Sequence, residues 1–257
     1  MKKKRFNTME LFCAAISIGA FLCLWNFGVT GDLGRLMPGP IPVLRKFFET
    51  LFGGRIGSKT LIMHVVYSLL RVMAGYFIGA AVGVVLGLSM GWSRLVEAVF
   101  SPVFRIIRPI PPIAWIPIVI MWFGIGEFPK VLLVFIGTFV PLVINTSTGI
   151  EMVDKINLDV GHVFGGNNRQ ILTDIVIPTA LPSIFAGIRT SVSSGWTTVL
   201  AAEMLGAQKG LGALVTRGWQ GSDMALVLVS VITIAIIGAL LSLGLQKLEK
   251  VVCPWNN

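Results

Sequence analysis

The chain has 257 residues, 54% of them hydrophobic and 13% charged, against about 25% charged in a typical soluble domain. That balance excludes an ordinary soluble enzyme, and the net charge of +9 reads as Lys and Arg flanking apolar spans rather than as a nucleic-acid surface. The apolar runs are long and helical, not ten-residue alternating strands, so the expected fold class is all-α, a polytopic membrane helical bundle. Cys13, Cys23 and Cys253 stand far apart without metal-ligand spacing, so neither a disulfide framework nor a metal site is expected.

In chain order, Lys2-Lys3-Lys4-Arg5 precedes an apolar run over residues 11–29. The run is long for a signal peptide and lacks a clean small-x-small cleavage site, so it reads as an uncleaved first span with a cytoplasmic N-terminus. Pro38, Pro40 and Pro42 then break the chain. Leu44, Phe47, Phe48, Leu51 and Phe52 recur at helical spacing with Arg45, Lys46 and Glu49 opposite, which predicts an amphipathic helix lying on the membrane surface. Residues 1–63 are thus expected as tail, first transmembrane helix and interfacial helix, and residues 64–257 as a five-helix core. Gly53 followed by Ser58-Lys59-Thr60 falls one residue short of a phosphate-binding loop, with Ser58 where a Gly is needed. No strand is predicted ahead of it, so nucleotide binding is not expected there.

The second span is expected over 64–90. Gly75, Gly79, Gly83, Gly87 and Gly91 recur every fourth residue, a ridge that lets another helix approach closely, in this chain or in another copy. Arg94, Arg105 and Arg108 mark a turn. Pro109, Pro111, Pro112 and Pro117 cannot sit in one regular helix, so the short apolar stretch 110–125 is expected to be broken; in transporters such segments point to the solute route. Spans at 131–150, 181–205 and 225–245 bring the count to six, with both termini cytoplasmic. Arg71 and Arg189 are the two basic residues expected inside spans, Arg71 either snorkelling or paired.

Residues 159–189 are neither a clean membrane span nor a polar loop, and a cytoplasmic coupling loop is expected at about 151–178. Val160, Val163 and Phe164 form an apolar stripe that Gly165-Gly166 stops. Asn167 can cap a second helix with Gln170 as its capping-box partner. Ile171, Leu172, Ile175 and Val176 give that helix an apolar face, and Pro178 is expected to end it. Two short amphipathic helices around a Gly hinge suit a docking surface.

Here the sequence resembles a known family. Asp159-Val160-Gly161, then Gly165, then Ile177-Pro178 with Leu181-Pro182, resembles the EAA loop of ATP-binding-cassette (ABC) importer permeases, with Asp for Glu and Gly161 for Ala; the glycine costs a helix roughly 1 kcal/mol. The run Arg108-Pro109-Ile110-Pro111-Pro112-Ile113-Ala114-Trp115-Ile116-Pro117, continuing to Trp122-Phe123-Gly124-Ile125-Gly126-Glu127, is similar to the permeases of taurine, alkanesulfonate and nitrate importers. So are Ser194-Gly195-Trp196, Ala201-Ala202-Glu203 and Gly210-Leu211-Gly212. The resemblance implies a type I importer permease fold in a bacterial cytoplasmic (inner) membrane. It implies a non-catalytic subunit with no cofactor of its own, paired with a second copy. Its other implied partners are two cytoplasmic ATPase subunits that bind ATP and Mg, and an extracytoplasmic solute-binding protein bringing a small, anionic solute. Asp159, Val160, Gly161, Val163, Phe164, Gly165, Gly166, Asn167, Pro178 and Pro182 would couple the ATPase to the fifth span.

No catalytic set is visible: His64 and His162 lie far apart, and neither belongs to a recognisable motif. For the solute path the candidates are Trp115, Asn145, Trp196, Thr197 and Glu203. Trp115, Trp196 and Thr197 read equally as packing residues, and Asn145 as a bond to a neighbouring helix. Glu203, ionisable and deep in a span, is expected to be functional and gate-like. The competing class is a secondary transporter or channel, which needs charged pairs at mid-membrane to couple ions.

Overall fold

The computed structural model describes residues 8–29 and 37–254, nearly all of them helical. The basic cluster Lys2–Arg5, which carries the orientation argument, lies outside the described residues. The chain divides into two compact units, Met1–Ile62 with Leu214–Ile232, and Met63–Ala213 with Thr233–Asn257.

The first unit contains α1 (Thr8–Gly28) and α2 (Pro40–Leu51), followed by a minimal hairpin of β1 (Arg55–Ile56) and β2 (Lys59–Thr60). Prolines open α2 at its first turn, where their missing N–H costs nothing. Phe48 stacks on Phe52, just past the helix end, and both are exposed. Arg45 pairs with Glu49 at 2.9 Å on the other face, and Lys46 pairs with Asp223. The near-miss phosphate loop is the hairpin itself: Gly57 turns it at φ +67°, and Arg217 Nη1 donates to the Ile56 carbonyl at 3.1 Å.

The longer helices are α3 (Leu61–Trp92), α6 (Glu127–Glu151), α8 (Asn168–Met204) and α10 (Met224–Val252), each long and apolar enough to cross a membrane. Between α3 and α6, α4 (Arg94–Ile107) is bent by 86° against a 3-10 turn (Pro112–Trp115) that leads into α5 (Ile116–Phe123). Residues 94–107 are therefore a helix and not the expected turn, and the prolines act just beyond it. Pro111 sits in extended backbone at ψ 138°, and Pro117 falls in the first turn of α5. Among the described residues, four helices thus qualify singly and a fifth as this bent pair, while in α1 the apolar stretch is the shorter Phe12–Gly28. The expected six is reached only by counting both.

The glycine ridge has its partner within the same chain. A side chain at Gly75, Gly79, Gly83, Gly87 or Gly91 would meet Val134, Thr138, Leu142, Thr146 or Ile150 respectively. Both series advance by four residues in the same sense, so α3 and α6 run parallel with backbones in near contact. Small residues also join α6 to α8: a Cβ on Gly149, Gly187 or Gly195 would lie 2.6–2.7 Å from Ser183, Asn145 or Thr138. Here the order reverses, and the two helices are antiparallel.

Candidate functional site

Residues 154–170 fold as the local signals require. Asp154 caps α7 (Lys155–Val163), its carboxylate accepting from Ile156 N at 3.1 Å. Gly165 ends the helix at φ +79°. Its N–H donates to the His162 carbonyl at 2.9 Å, and that of Gly166 to the Gly161 carbonyl at 3.0 Å. This pair of bonds satisfies two otherwise orphaned carbonyls. Asn167 and Gln170 then form the reciprocal capping box, both bonds at 2.9 Å.

Two expectations are corrected. Pro178 does not end the second helix, because α8 continues through Pro178 and Pro182 to Met204. The reason lies just upstream, where Ile171–Val176 is a π-helical turn; the wider turn accommodates a ring that lacks an N–H and would clash with the carbonyl four residues back. Gly161 is no mere weak point in α7: a Cβ there would lie 2.7 Å from Ile175 Cδ1 and 3.2 Å from Ile171 Cγ1, so the glycine lets α7 lie directly on the π turn. Ile171, Val176, Ala180 and Ile184 are buried with Ile150 and Val153, which ties the base of α8 to the end of α6. At the tip, Val163 and Phe164 are 84% and 86% exposed. Beside them a cleft of about 340 Å³ is lined by Val160, Phe164, Gln170, Ile171 and Asp174.

At the opposite end of α8 lies a buried polar cluster. Glu203 is fully buried. Its Oε1 accepts from Arg71 Nη1 at 2.6 Å and from Ser68 Oγ at 2.9 Å, and its Oε2 from Ser68 Oγ at 2.8 Å and Gly212 N at 3.0 Å. Ser68 and Arg71 share a face of α3, one turn apart. The guanidinium also grips Glu127 through Nε at 2.6 Å and Nη2 at 2.8 Å, and Nη1 donates to the Lys209 carbonyl at 2.7 Å. Leu211 N donates to Ser68 Oγ at 2.9 Å, and Gly210 N to His64 Nδ1 at 3.1 Å. Gly210, at φ +120°, faces the Glu203 carboxyl so closely that a Cβ would collide with it. Arg71 is thus paired rather than snorkelling. Ser68, Glu127 and the 209–212 backbone were missed from the sequence, since nothing local says which hydroxyls and amides will meet a carboxylate.

The remaining path candidates separate. Trp115 sits on the 3-10 turn against Ile116, Val119, Leu133 and Ala202, and its buried Nε1 has no hydrogen-bond partner. Asn145 turns back on its own helix, Nδ2 donating to the Pro141 carbonyl at 2.8 Å. Trp196 and Thr197 come together in a cavity of about 410 Å³ between α8 and α10, which also holds Arg189, Ser193, Gly238 and Ser242. The structure therefore does not gather the five into one site. The signal that could have found Arg189 was its charge inside an apolar span.

Long helices of membrane-crossing length, a bent helix pair and a helix–glycine–helix elbow leading into a long helix define a polytopic membrane-helix protein. Residues 79–252 match the family of binding-protein-dependent transport system inner membrane components. The chain is 34% identical over 246 residues to the taurine transport system permease protein of Escherichia coli (strain K12), covering 94% of this chain and 90% of that protein. It is 30% identical over 244 residues to a nitrate import permease protein of Synechocystis sp., covering 93% and 88%. Among solved structures it resembles the inward-facing MetNI methionine ABC transporter with a TM-score of 0.65 at 18% identity, over 75% of this chain and 95% of that one, a likeness of fold. The chain belongs to this family of inner-membrane permeases and is an ABC importer permease subunit, not an enzyme.

Proposed function

We propose that this chain works as one of a pair of identical permeases around a central path, importing a small anionic solute of the sulfonate or nitrate kind. Two cytoplasmic ATPase subunits, which carry the ATP and Mg, would drive it, and an extracytoplasmic binding protein would deliver the solute. The substrate class is supported by the taurine and nitrate relatives.

The observation that carries the coupling is the elbow at residues 159–178. Val163 and Phe164 stand out from its tip as an apolar knob suited to a groove on the ATPase, and the helix behind them runs unbroken from Asn168 to Met204. Packing of α7 on the π turn at Gly161 carries a push on the knob past the Gly165–Gly166 turn and into α8. Swinging a two-state path from 1:99 to 99:1 takes about 5.5 kcal/mol of differential binding, which a compliant link would dissipate. Docking of the elbow on a cytoplasmic ATPase requires residues 151–178 to lie in the cytoplasm and, with six spans, both termini as well.

Glu203 acts in this reading as a pin rather than a ligand, because both its oxygens are taken by four protein donor contacts. The same saturation disfavours ion coupling by a secondary transporter through this residue. The test is co-purification and site-directed crosslinking: a cysteine at Phe164 should crosslink to the ATPase subunit, and uptake should stop on ATP depletion. Labelling of that cysteine from the extracytoplasmic side would overturn the proposal.

A further inference from the structure

We infer that the cleft between α8 and α10 is an oxyanion subsite on the solute path, in which Arg189 exchanges Glu249 for the solute's negative group while the Trp196 indole N–H donates to it. This rests on the permease reading above and names the residues that would recognise the solute.

The site is assembled by helical periodicity. Arg189, Ser193, Trp196 and Thr197 follow at i, i+4, i+7 and i+8 along one face of α8, and Gly238, Leu241, Ser242 and Leu245 at i, i+3, i+4 and i+7 along α10. Between the two faces lies the cavity of about 410 Å³, within the size range of small-molecule pockets. A basic residue within a membrane span is costly to keep and tends to mark a route for ions or substrates.

Two donors in this cavity lack adequate acceptors. Trp196 is 5% exposed, and its Nε1 has no hydrogen-bond partner, an uncommon state for a buried indole. The group is a donor only, so what completes it is an acceptor. The nitrogen is itself covered and lies against Gly238, where a Cβ would stand 3.2 Å away, so an acceptor reaches it as α8 and α10 part slightly. The second donor is Arg189, whose Nη2 reaches both Glu249 oxygens at 3.3 Å. Charge-assisted bonds normally close to about 2.7–2.9 Å, and in this same chain Arg71 holds Glu203 at 2.6 Å. The Arg189–Glu249 pair is loose, and Nε and Nη1 of Arg189 engage no hydrogen-bond partner among the described residues.

A guanidinium with free fork positions binds planar or pyramidal oxyanions bidentately. Guanidinium and indole therefore define a ligand that is an acceptor and negatively charged: a sulfonate, nitrate or carboxylate group. Glu249 serves as the resident counter-ion. It neutralises Arg189 when the site is empty and competes when a solute arrives, which keeps binding weak enough for release.

The test uses the permease with its ATPase in nanodiscs, without the binding protein, whose own solute site would mask that of the permease. The probes are nitrate, methanesulfonate and taurine, titrated while the indole ¹⁵N–H signal assigned to Trp196 by its loss in Trp196→Phe is followed. The expected result is saturable binding of at least one probe with a shift of that signal. Arg189→Gln should weaken binding about tenfold or more, and Arg189→Lys should recover part of the loss. Glu249→Gln should tighten binding, because the internal competitor is gone; a purely structural ion pair would instead make the two neutral variants behave alike. No saturable binding of any probe, an unchanged affinity in Arg189→Gln, or weakened binding in Glu249→Gln each overturns the inference. ATP-dependent uptake and ATPase co-purification of the wild type report on the transporter reading alone. Their absence sinks both proposals, whereas their presence beside a failed anion titration sinks only this one.

Discussion

Arg71 of α3 and Glu203 of α8 meet at 2.6 Å with 4% and 0% of their side chains exposed. Desolvating two charges costs several kcal/mol each, and their attraction repays that only when the remaining donors and acceptors are also satisfied. That condition holds here: Ser68 and Gly212 complete the carboxylate, and Glu127 and the Lys209 carbonyl complete the guanidinium. The cluster therefore joins α3, the start of α6, the end of α8 and the 209–212 segment at one point.

Breaking it from one side should be worse than removing it. Arg71→Leu leaves the buried Glu203 carboxylate uncompensated and is expected to destabilise the chain by roughly 3–5 kcal/mol, whereas Glu203→Leu should cost less, because Glu127 still pairs with Arg71. The double variant should lose clearly less than the sum. Thermal unfolding in detergent of the four proteins gives the coupling directly; strict additivity would show that the pair does not act as a unit.

The glycine ridge makes a graded prediction. A methyl at Gly87 would stand 2.6 Å from Thr146 Cβ and 2.8 Å from the Val143 carbonyl, whereas at Gly83 its nearest contacts are at 3.3 Å. Gly87→Ala should cost about 1–3 kcal/mol by overpacking, and Gly83→Ala much less. The same unfolding assay compares them, and an equal loss at both sites would argue against backbone contact between α3 and α6.

What could be read ahead of the structure was whatever depends on neighbours in sequence. The capping box of Asn167 and Gln170, the glycine stop at Gly165 and the spacing of the ridge are local and emerged as expected. The helix through Pro178 did not, because a π turn that absorbs a proline has no distinctive residue pattern. Nor did Gly161, whose need for no side chain comes from Ile171 and Ile175 folding back over it. The partner of Arg71 lies 132 positions away, and only the packing of α3 against α8 brings it there. Arg189 and Trp196 were visible as residues, but the cavity between them depends on α10, and helical periodicity alone does not say which two faces will meet.

The elbow should be separable from the fold. Phe164 is 86% exposed, so Phe164→Ser should leave thermal stability within about 0.5 kcal/mol of the parent. If the ring fills a groove on the ATPase, its loss removes about 1.5–3 kcal/mol of association, roughly tenfold or more in affinity. Gly165→Val combines an exposed position with a left-handed backbone, costing about 1–2 kcal/mol, and should uncouple uptake while the chain still inserts. Binding of the ATPase to Phe164→Ser at parental affinity would remove the knob from the mechanism.

A pH dependence is expected in the first unit. Burial alone would raise the Asp223 carboxyl, but hydrogen bonding from Lys46 and the Leu226 N–H, with the attraction of the Lys46 ammonium, outweighs it and holds the group below its ordinary range. A carboxyl lowered in the folded state contributes stability that is present above its unfolded value, about 3.9, and is lost as pH falls through the lower folded value. With 38% of the Asp223 side chain exposed, solvent screening keeps the pair to about 0–1 kcal/mol. Lys46→Met should therefore melt slightly below the parent at pH 7, the difference closing as the pH falls below about 3.9 and through the lower folded value. Asp223→Asn should behave like Lys46→Met, since an amide oxygen can still cap α10 at Leu226 N, whereas Asp223→Ala should lose the cap as well, about 1 kcal/mol more, at every pH. Parallel melting curves for Lys46→Met and the parent from pH 3 to 7 would show that the ion pair contributes nothing.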